Sequence, residues 1–226
     1  MKFARHVVVI FRKDLRSELR SKDSINAAFS FALVMLLLFN FAFDPSSSET
    51  REITGGLLWI VFAFAGTLIL NRSFARELPN DCLDGLMAAP ISSAALFVGK
   101  ALANLVLVMA VELVSLPIFG IFYNVRWTQQ WWSLLLVLIL TTWGLTVVGT
   151  IFSALTVNLR IRELMLPVLF FPIMTPVLLG AMEITGPLIA GKPLEGDLLA
   201  WVRLLTAFDI IFTALSVSVV DTVLVG

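Results

Sequence analysis

The chain alternates between long apolar runs and short polar connections. Six runs have about the 20 residues that a helix needs to cross the hydrocarbon core of a membrane. None alternates between apolar and polar positions over roughly ten residues, as strands of a membrane β-barrel do. Because a helix satisfies its backbone groups internally in lipid, the pattern predicts an all-α membrane protein with one transmembrane domain over 1–226. The six predicted spans are 25–43, 53–70, 96–122, 134–157, 164–182 and 204–224.

The first 22 residues have a different helical pattern. Apolar residues recur every four positions, and Lys and Arg fill much of the rest. This predicts an amphipathic interfacial helix over 1–22 that lies along the membrane surface. It is either an elbow that packs beside the spans or an anchor that only sets topology. The apolar residues are Phe3, Val7, Ile10, Phe11, Leu15 and Leu19.

The connection between the second and third spans, residues 72–92, is here named the coupling segment. It reads RSFARELPNDCLDGLMAAPIS, with two prolines as helix breakers and apolar residues near helical spacing. The pattern predicts a short helix within 76–89, which a partner at the membrane surface would push. The alternative is a loop whose apolar residues rest on the bilayer. The predicted contact residues are Arg76, Glu77, Asp81, Leu83, Asp84, Leu86, Met87 and Pro90.

These contact residues have different predicted roles. Leu83, Leu86 and Met87 would supply the apolar contact, because residues three and four apart share a helix face. Asp81 and Asp84 would favour the first turns of the helix, where its dipole is positive. The docking register would be set by Arg76, Glu77 and Asp84, since charges at the rim of an interface orient a partner more than they bind it.

Composition supports the membrane class and excludes several chemistries. Apolar residues make up 59% and charged residues 14% of the 226, and the mean hydropathy is +0.96; about 25% of a soluble chain is charged. One cysteine, Cys82, and one histidine, His6, are too few for an internal disulfide or a Cys/His metal cluster. We therefore predict no catalytic residue, no metal site and no nucleic-acid partner.

Nucleotide-binding motifs are also missing from the sequence. The pairs Gly99-Lys100 and Gly191-Lys192 are followed by Ala and Pro, so neither belongs to a Gly-x-x-x-x-Gly-Lys-Ser/Thr loop. If ATP hydrolysis drives this protein, a separate chain supplies the ATPase.

The distribution of Lys and Arg predicts the orientation. Twelve belong to the segment before the first span or to the connections between spans two and three and between spans four and five. Only Arg51, Arg126, Lys192 and Arg203 lie on the opposite side. Since cytoplasmic connections carry the excess of basic residues, both termini and the coupling segment are predicted to be cytoplasmic.

Three carboxylates fall within or near the predicted spans: Glu112, Glu183 and Asp209. Ionisable groups in the membrane usually face protein or water. Glu112 is either a polar or proton-linked group of the interior or a partner in a hydrogen bond between helices. Hydrogen bonding between helices is favoured for Asp209 and Glu183. The expected hydrogen-bonding partners are Asn104, Ser115, Thr141 and Thr142.

Two further features concern the fifth span and an outer connection. Pro167, Pro172 and Pro176 remove amide donors, so the fifth span is predicted to be kinked or broken. A tryptophan-rich surface can hold a flat apolar ligand such as haem, but an aromatic belt at the membrane interface is the favoured interpretation. The cluster consists of Trp127, Trp131 and Trp132.

Three blocks resemble one known family. ARELPNDCLDGLMAAPISSAALFVGKALANL resembles the region after the second span of the haem exporter B (CcmB) family of cytochrome c maturation. RIRELMLPVLFFPIMTPVLLGA and WVRLLTAFDIIFTALS are similar to that family's fifth and sixth spans. The amphipathic start, the six spans and the loop sizes also fit, so that the resemblance covers essentially the whole chain.

The resemblance implies a permease subunit of an ATP-binding-cassette (ABC) complex of the exporter class in a bacterial inner membrane. The implied partners are a cytoplasmic ABC ATPase, a tryptophan-rich haem-handling membrane subunit, a small membrane subunit, a periplasmic haem chaperone and a second copy of the chain. ATP would bind the ATPase, haem would be handled by the complex, and this subunit would be no enzyme.

Two alternatives remain open at this stage. One is a permease of the same architecture that exports another substrate, such as a drug or a polysaccharide. The other is an ATP-independent carrier or an intramembrane enzyme, which is the weaker reading because the sequence shows no convergent catalytic pair.

Overall fold

The computed structural model describes residues 2–43, 47–79, 82–123, 125, 130–157, 159 and 161–225, with all side chains except those at 48, 49, 51, 52, 83, 84, 87, 162 and 225. Nine α-helices lie in these ranges. They are α1 (Lys2–Ser21), α2 (Asp23–Ala42), α3 (Ser48–Leu70), α4 (Arg72–Ala75), α5 (Cys82–Ala88), α6 (Ser93–Phe122), α7 (Trp131–Thr156), α8 (Arg162–Ile189) and α9 (Leu198–Val225).

Six of these helices are long and apolar enough to cross a membrane, which confirms the predicted number of spans. They are α2, α3, α6, α7, α8 and α9. Two of these helices are longer than the predicted spans: α8 continues to Ile189, past residue 182, and α9 starts at Leu198, before residue 204.

The prolines of the fifth span do not interrupt it. Pro167, Pro172 and Pro176, together with Pro187, all lie inside the continuous helix α8. The prediction of a broken helix is therefore wrong, and that of a kink stays a prediction. A helix in a membrane bundle tolerates proline because neighbouring helices and local adjustments satisfy the freed carbonyls.

Two helices form the centre of the bundle. The most apolar windows of α3 and α7 are each 72% buried, whereas those of α2 and α9 are 17% and 11% buried. The helix α7 packs on α6, α8 and α9, and α3 packs on α2 and α8. Trp59 of α3 donates from Nε1 to Thr185 Oγ1 of α8 at 2.9 Å. The outer faces of α2 and α9 are thus the surfaces left for lipid or other chains.

Helix α1 is the predicted amphipathic helix, and it packs mainly on α6. A single residue, Lys22, joins it to α2 in the left-handed conformation, with φ of 59°. Val7 and Ile10 are buried, whereas Phe3 and Leu19 are half exposed. The apolar residues at four-residue spacing therefore do not all face the protein.

Candidate functional site at the junction of α1 and the coupling segment

The coupling segment contains the predicted short helix. Helix α5 covers Cys82–Ala88, and Pro90 lies after its end. The Cys82 side chain is exposed and Leu86 is half-buried. Within the described part of the chain, α5 makes no extensive packing contact with another helix. Among the described residues it is therefore a short helix with few contacts to the bundle.

Some of the predicted contact residues lie outside the described residues. Asp81 is one of them, and the side chains of Leu83, Asp84 and Met87 are also outside the description. Their contact with a partner stays a prediction.

Arg76 holds the coupling segment to the start of α2. Its guanidinium pairs with the fully buried Glu18 of α1 and donates to Ser24 Oγ. The Glu18 carboxylate also accepts the backbone N–H groups of Ser24 at 2.9 Å and Ile25 at 3.1 Å. The first N–H groups of a helix have no partner within the helix, so Glu18 caps α2. One carboxylate thereby joins α1, α2 and the coupling segment.

Lys100 of α6 is the centre of a second set of contacts. Its side chain is only 1% exposed. The ammonium donates, at 3.0 Å in each case, to Asp14 of α1, to the carbonyl of Ser73 and to Glu77. It also lies 4.9 Å from the centre of the Phe74 ring. These contacts use all three of its donors, which is what keeps a buried ammonium tolerable.

Lys13 of α1 completes what we call the junction cluster, which consists of Lys13, Asp14, Glu18, Arg76, Glu77 and Lys100. Lys13 pairs with both Asp14 and Glu77. Burial tends to raise the pKa of Glu77, but Lys100 and Lys13 outweigh it, so that this pKa lies below its ordinary value. Burial tends to lower the pKa of Lys13, but the two carboxylates outweigh it and raise this pKa. Both groups are therefore charged at neutral pH.

The junction cluster changes the interpretation of two predicted residues. Arg76 and Glu77 are engaged inside the chain, where they fix the coupling segment against α1, α2 and α6. A direct contact of either residue with a partner stays a prediction. A cavity of about 140 Å³ lies beside them, lined partly by Ser17 and Asn104, and its polar walls suit water better than an apolar ligand.

Buried contacts continue from the junction cluster into the bundle. Asn104 of α6 donates at 2.8 Å both to Ser73 Oγ and to Thr150 Oγ1 of α7. The backbone N–H of Phe74 donates to Ser153 Oγ at 3.3 Å. Phe74 itself is fully buried in a small apolar cluster between α1, α4, α6 and α7. These hydrogen bonds and apolar contacts connect α4, at the start of the coupling segment, to α6 and α7.

Helix α1 approaches α6 very closely at one point. A Cβ atom on Gly99 would lie 2.8 Å from Ile10 Cβ and 3.0 Å from the Val7 carbonyl oxygen. Asp14, one turn further along α1, contacts the next residue of α6, Lys100. Helix α1 thus packs closely against α6, as an elbow that packs beside the spans.

The three intramembrane carboxylates have different surroundings. Glu112 is 1% exposed and accepts a hydrogen bond from Thr142 Oγ1 at 2.6 Å, as the helix–helix alternative predicts. Neither buried oxygen of Asp209 has a hydrogen-bond partner among the described residues, so the helix–helix bond favoured for it is not formed there. Glu183 is exposed, and it forms no hydrogen bond or ion pair within the described ranges either. Its exposed carboxylate lies near the C-terminal end of α8, where it needs no protein partner.

The outer aromatic cluster is only partly described. Trp131 and Trp132, at the start of α7, are 41% and 80% exposed, while Trp127 lies outside the described residues. Exposed tryptophans at the end of a span fit an aromatic belt. No group of three or more His, Cys, Asp or Glu side chains with metal-binding geometry occurs in the part of the chain that is described.

The structure combines six helices that can cross a membrane, an N-terminal helix packed against them and a short helix joined to the spans by buried ion pairs. These features define a multi-pass membrane protein of the permease type. Such an arrangement can pass motion from a surface-bound partner to the spans. The model of the family described as CcmB protein matches residues 5–222. The chain belongs to the CcmB family, which confirms the family indicated by the three sequence blocks.

Curated relatives support the same assignment over most of the chain. "Heme exporter protein B" of Rhodobacter capsulatus is 31% identical over 186 residues, which cover 82% of this chain and 85% of the relative. The protein of the same name from Pseudomonas aeruginosa is 30% identical over 219 residues, covering 95% of this chain and 92% of the relative. The similarity therefore includes the spans and the junction.

Proposed function

We propose that this protein is the permease subunit of an ABC-type complex in cytochrome c biogenesis. It couples ATP hydrolysis by a separate ATPase to haem delivery, through release of the haem-loaded periplasmic chaperone. Membership of the CcmB family and the relatives' name, heme exporter protein B, support haem as the cargo. A tryptophan-rich membrane subunit, a small membrane subunit and a second copy of the chain complete the complex.

The proposal includes an orientation with both termini and the coupling segment in the cytoplasm. The excess of Lys and Arg on that side supports it. The ATPase, which binds ATP in the cytoplasm, then meets α5 directly. A bacterial inner membrane is the corresponding location.

One observation carries the coupling mechanism. Helix α5 makes no extensive contact with another helix among the described residues, while the residues just before it are held by buried contacts to α1, α2, α6 and α7. A force applied to an isolated surface helix moves the spans only if rigid contacts connect the two. Lys100 and Glu18 supply such contacts, since both are almost fully buried and fully engaged.

The single cysteine of the sequence provides a direct test. Cys82 is exposed on α5, so it can carry a photoactivatable maleimide cross-linker without mutagenesis. In membranes that contain the co-expressed ATPase, we expect cross-linking to the ATPase. A matched control is the Cys82→Ser, Lys192→Cys variant, which places the thiol on an exposed residue of the predicted outer side and should not react with the ATPase.

A second test removes the apolar surface of α5. Replacing Leu83 and Leu86 together by Asp should leave the spans inserted, because neither residue lies in a span. It should weaken ATPase co-purification and abolish cytochrome c maturation. Leu159→Asp, at an exposed leucine on the same predicted side, is the control and should change neither. The mechanism is wrong if the double variant retains the ATPase and maturation at wild-type level.

A further inference from the structure

Three arginines of α1 have no part in the junction cluster. The two carboxylates of this helix, Asp14 and Glu18, lie on the side that packs on the protein and are paired there. Arg5, Arg12 and Arg16 lie on the other side of α1 and are exposed. They form no ion pair or hydrogen bond within the described ranges. The mechanism above therefore gives these three positive charges no partner.

Exposed apolar side chains share this side of α1. Positions 5, 8, 12, 16 and 19 are three or four residues apart and therefore form one face of the helix. Val8 is 45% and Leu19 is 55% exposed. Basic and exposed apolar side chains together are typical of a helix among lipid headgroups, where the first meet phosphates and the second acyl chains. We call this surface the arginine face, which consists of Arg5, Val8, Arg12, Arg16 and Leu19.

The packing of α1 on α6 places it at the depth of the headgroups. Helix α6 has 30 residues and is about 45 Å long, whereas the hydrocarbon core is about 30 Å thick. When α6 is centred, about 7 Å of it projects on each side of that core. Ile10 of α1 meets α6 at Gly99, which lies six residues, or about 9 Å, after Ser93 at the start of α6. Helix α1 therefore lies at the boundary between the phosphates and the acyl chains.

We propose that Arg12 and Arg16 bind the phosphate of an anionic phospholipid such as phosphatidylglycerol, whose acyl chains lie along Val8 and Leu19. Charge complementarity supports this occupant, because two guanidinium groups one helical turn apart can both donate to one phosphate. A zwitterionic headgroup would bring its own cation close to these groups and to Arg5, whereas phosphatidylglycerol carries none. The inference goes beyond the proposed function and shares with it only the orientation, which makes the leaflet the cytoplasmic one.

Two other occupants fit the arginine face less well. A second copy of the chain, related by a two-fold axis, would bring the same arginines against each other, and like charges oppose such a contact. A cytoplasmic protein such as the ATPase would have to displace headgroups to reach Val8 and Leu19 at the boundary of the hydrocarbon core. A phospholipid reaches both kinds of side chain from its ordinary position in the leaflet.

Quenching by brominated lipids tests the inference. The Cys82→Ser, Val9→Cys variant carries a bimane fluorophore beside Arg12, at a position that is 56% exposed. It is reconstituted in vesicles of equal parts dioleoylphosphatidylcholine and dioleoylphosphatidylglycerol, in which only one of the two lipids is brominated. Brominated phosphatidylglycerol should quench the fluorescence more strongly than brominated phosphatidylcholine. Arg12→Gln together with Arg16→Gln should lower this preference at least about fivefold, which is the effect of one arginine near an anionic surface.

Two further pairs of substitutions separate the position of the charge from the net charge. Lys192→Gln together with Arg203→Gln removes the same net charge from exposed residues elsewhere and should leave the lipid preference unchanged. Arg12→Lys together with Arg16→Lys keeps both charges and should retain most of the preference. In vesicles of phosphatidylcholine alone, each pair should have the melting temperature of the parent variant, because no anionic lipid is bound there.

Equal quenching by the two brominated lipids in the parent variant would overturn the inference. So would a preference that survives Arg12→Gln together with Arg16→Gln, or one that falls equally with Lys192→Gln and Arg203→Gln. Relief of the quenching by an excess of inorganic phosphate would show a site for free anions instead, and relief by the ATPase would assign the arginine face to that protein. The proposed function is tested separately by cross-linking of Cys82 to the ATPase, so the two can fail independently.

Discussion

Replacing Lys100 by Met tests whether the junction cluster holds the coupling segment in place. Methionine is also long and unbranched, so the packing against Phe74 is largely kept while the charge and its three hydrogen bonds are lost. The carbonyl of Ser73 loses a buried donor, and Asp14 and Glu77 keep only Lys13 as a cationic partner. The variant should therefore release α4 and the residues after it.

The expected magnitude follows from burial. Removing one partner of a buried ion pair costs about 3–5 kcal/mol. Asp14 and Glu77 are 15% and 13% exposed and keep Lys13, so the lower end applies, at about 3 kcal/mol. Since about 1.4 kcal/mol changes an equilibrium tenfold, the open population of the segment should rise by about 100-fold.

Limited proteolysis measures this population. Arg72 is exposed in α4, and trypsin can cleave after it only when the helix opens. When opening is fast relative to cleavage, the cleavage rate follows the open population. Lys100→Met should therefore raise the rate of cleavage after Arg72 about 100-fold. Lys192→Met, which removes an exposed lysine without a partner in the described ranges, should leave it unchanged. A change below about threefold, the size expected of an ordinary surface substitution, would refute the role of Lys100.

Three further outcomes follow from the structure. The pKa of Glu77 is lowered in the folded state, so its ionised form stabilises the fold at pH values above the ordinary pKa of 4.5. This stabilisation is lost as the pH falls through the lowered pKa. The melting temperature should therefore fall less on acidification in Glu77→Gln than in the native chain. Gly99→Val should displace α1 by collision with Ile10 and weaken ATPase co-purification, whereas Gly66→Ala, with its nearest neighbour at 3.7 Å, should not. Glu112→Gln keeps an acceptor for Thr142 of α7, so this variant should support cytochrome c maturation at wild-type level. A loss of maturation would show that a proton on Glu112 is required.

The spans and both surface helices were predictable from the sequence because each depends on local pattern. Length and hydropathy alone identify the six spans, and Pro90 together with apolar spacing locates α5. The helix ends were less predictable, as the early start of α9 at Leu198 shows, because hydropathy does not mark where a helix leaves the hydrocarbon core.

The junction cluster was not predictable in the same way. Lys100 counted only as one of the basic residues that predict the orientation, since nothing in the local pattern says that residues 86 positions apart, such as Asp14 and Lys100, meet. One signal was present: the carboxylates at 14 and 18 share a helix face with Val7, the face that became buried. The sequence also did not indicate that Asp209 has no hydrogen-bond partner among the described residues, because carboxylates in membrane helices usually find a partner.

The double role of Glu18 limits how this protein can be recombined with its relatives. Exchanging α1 alone between two such proteins would remove the cap of α2 and the counter-ion of Arg76 at once, unless the donor carries an acidic residue at the same place. Chimeras that move α1 together with the coupling segment keep both bonds. The smallest transplantable unit is therefore discontinuous in sequence, and substitutions in these two regions should accumulate together among homologues.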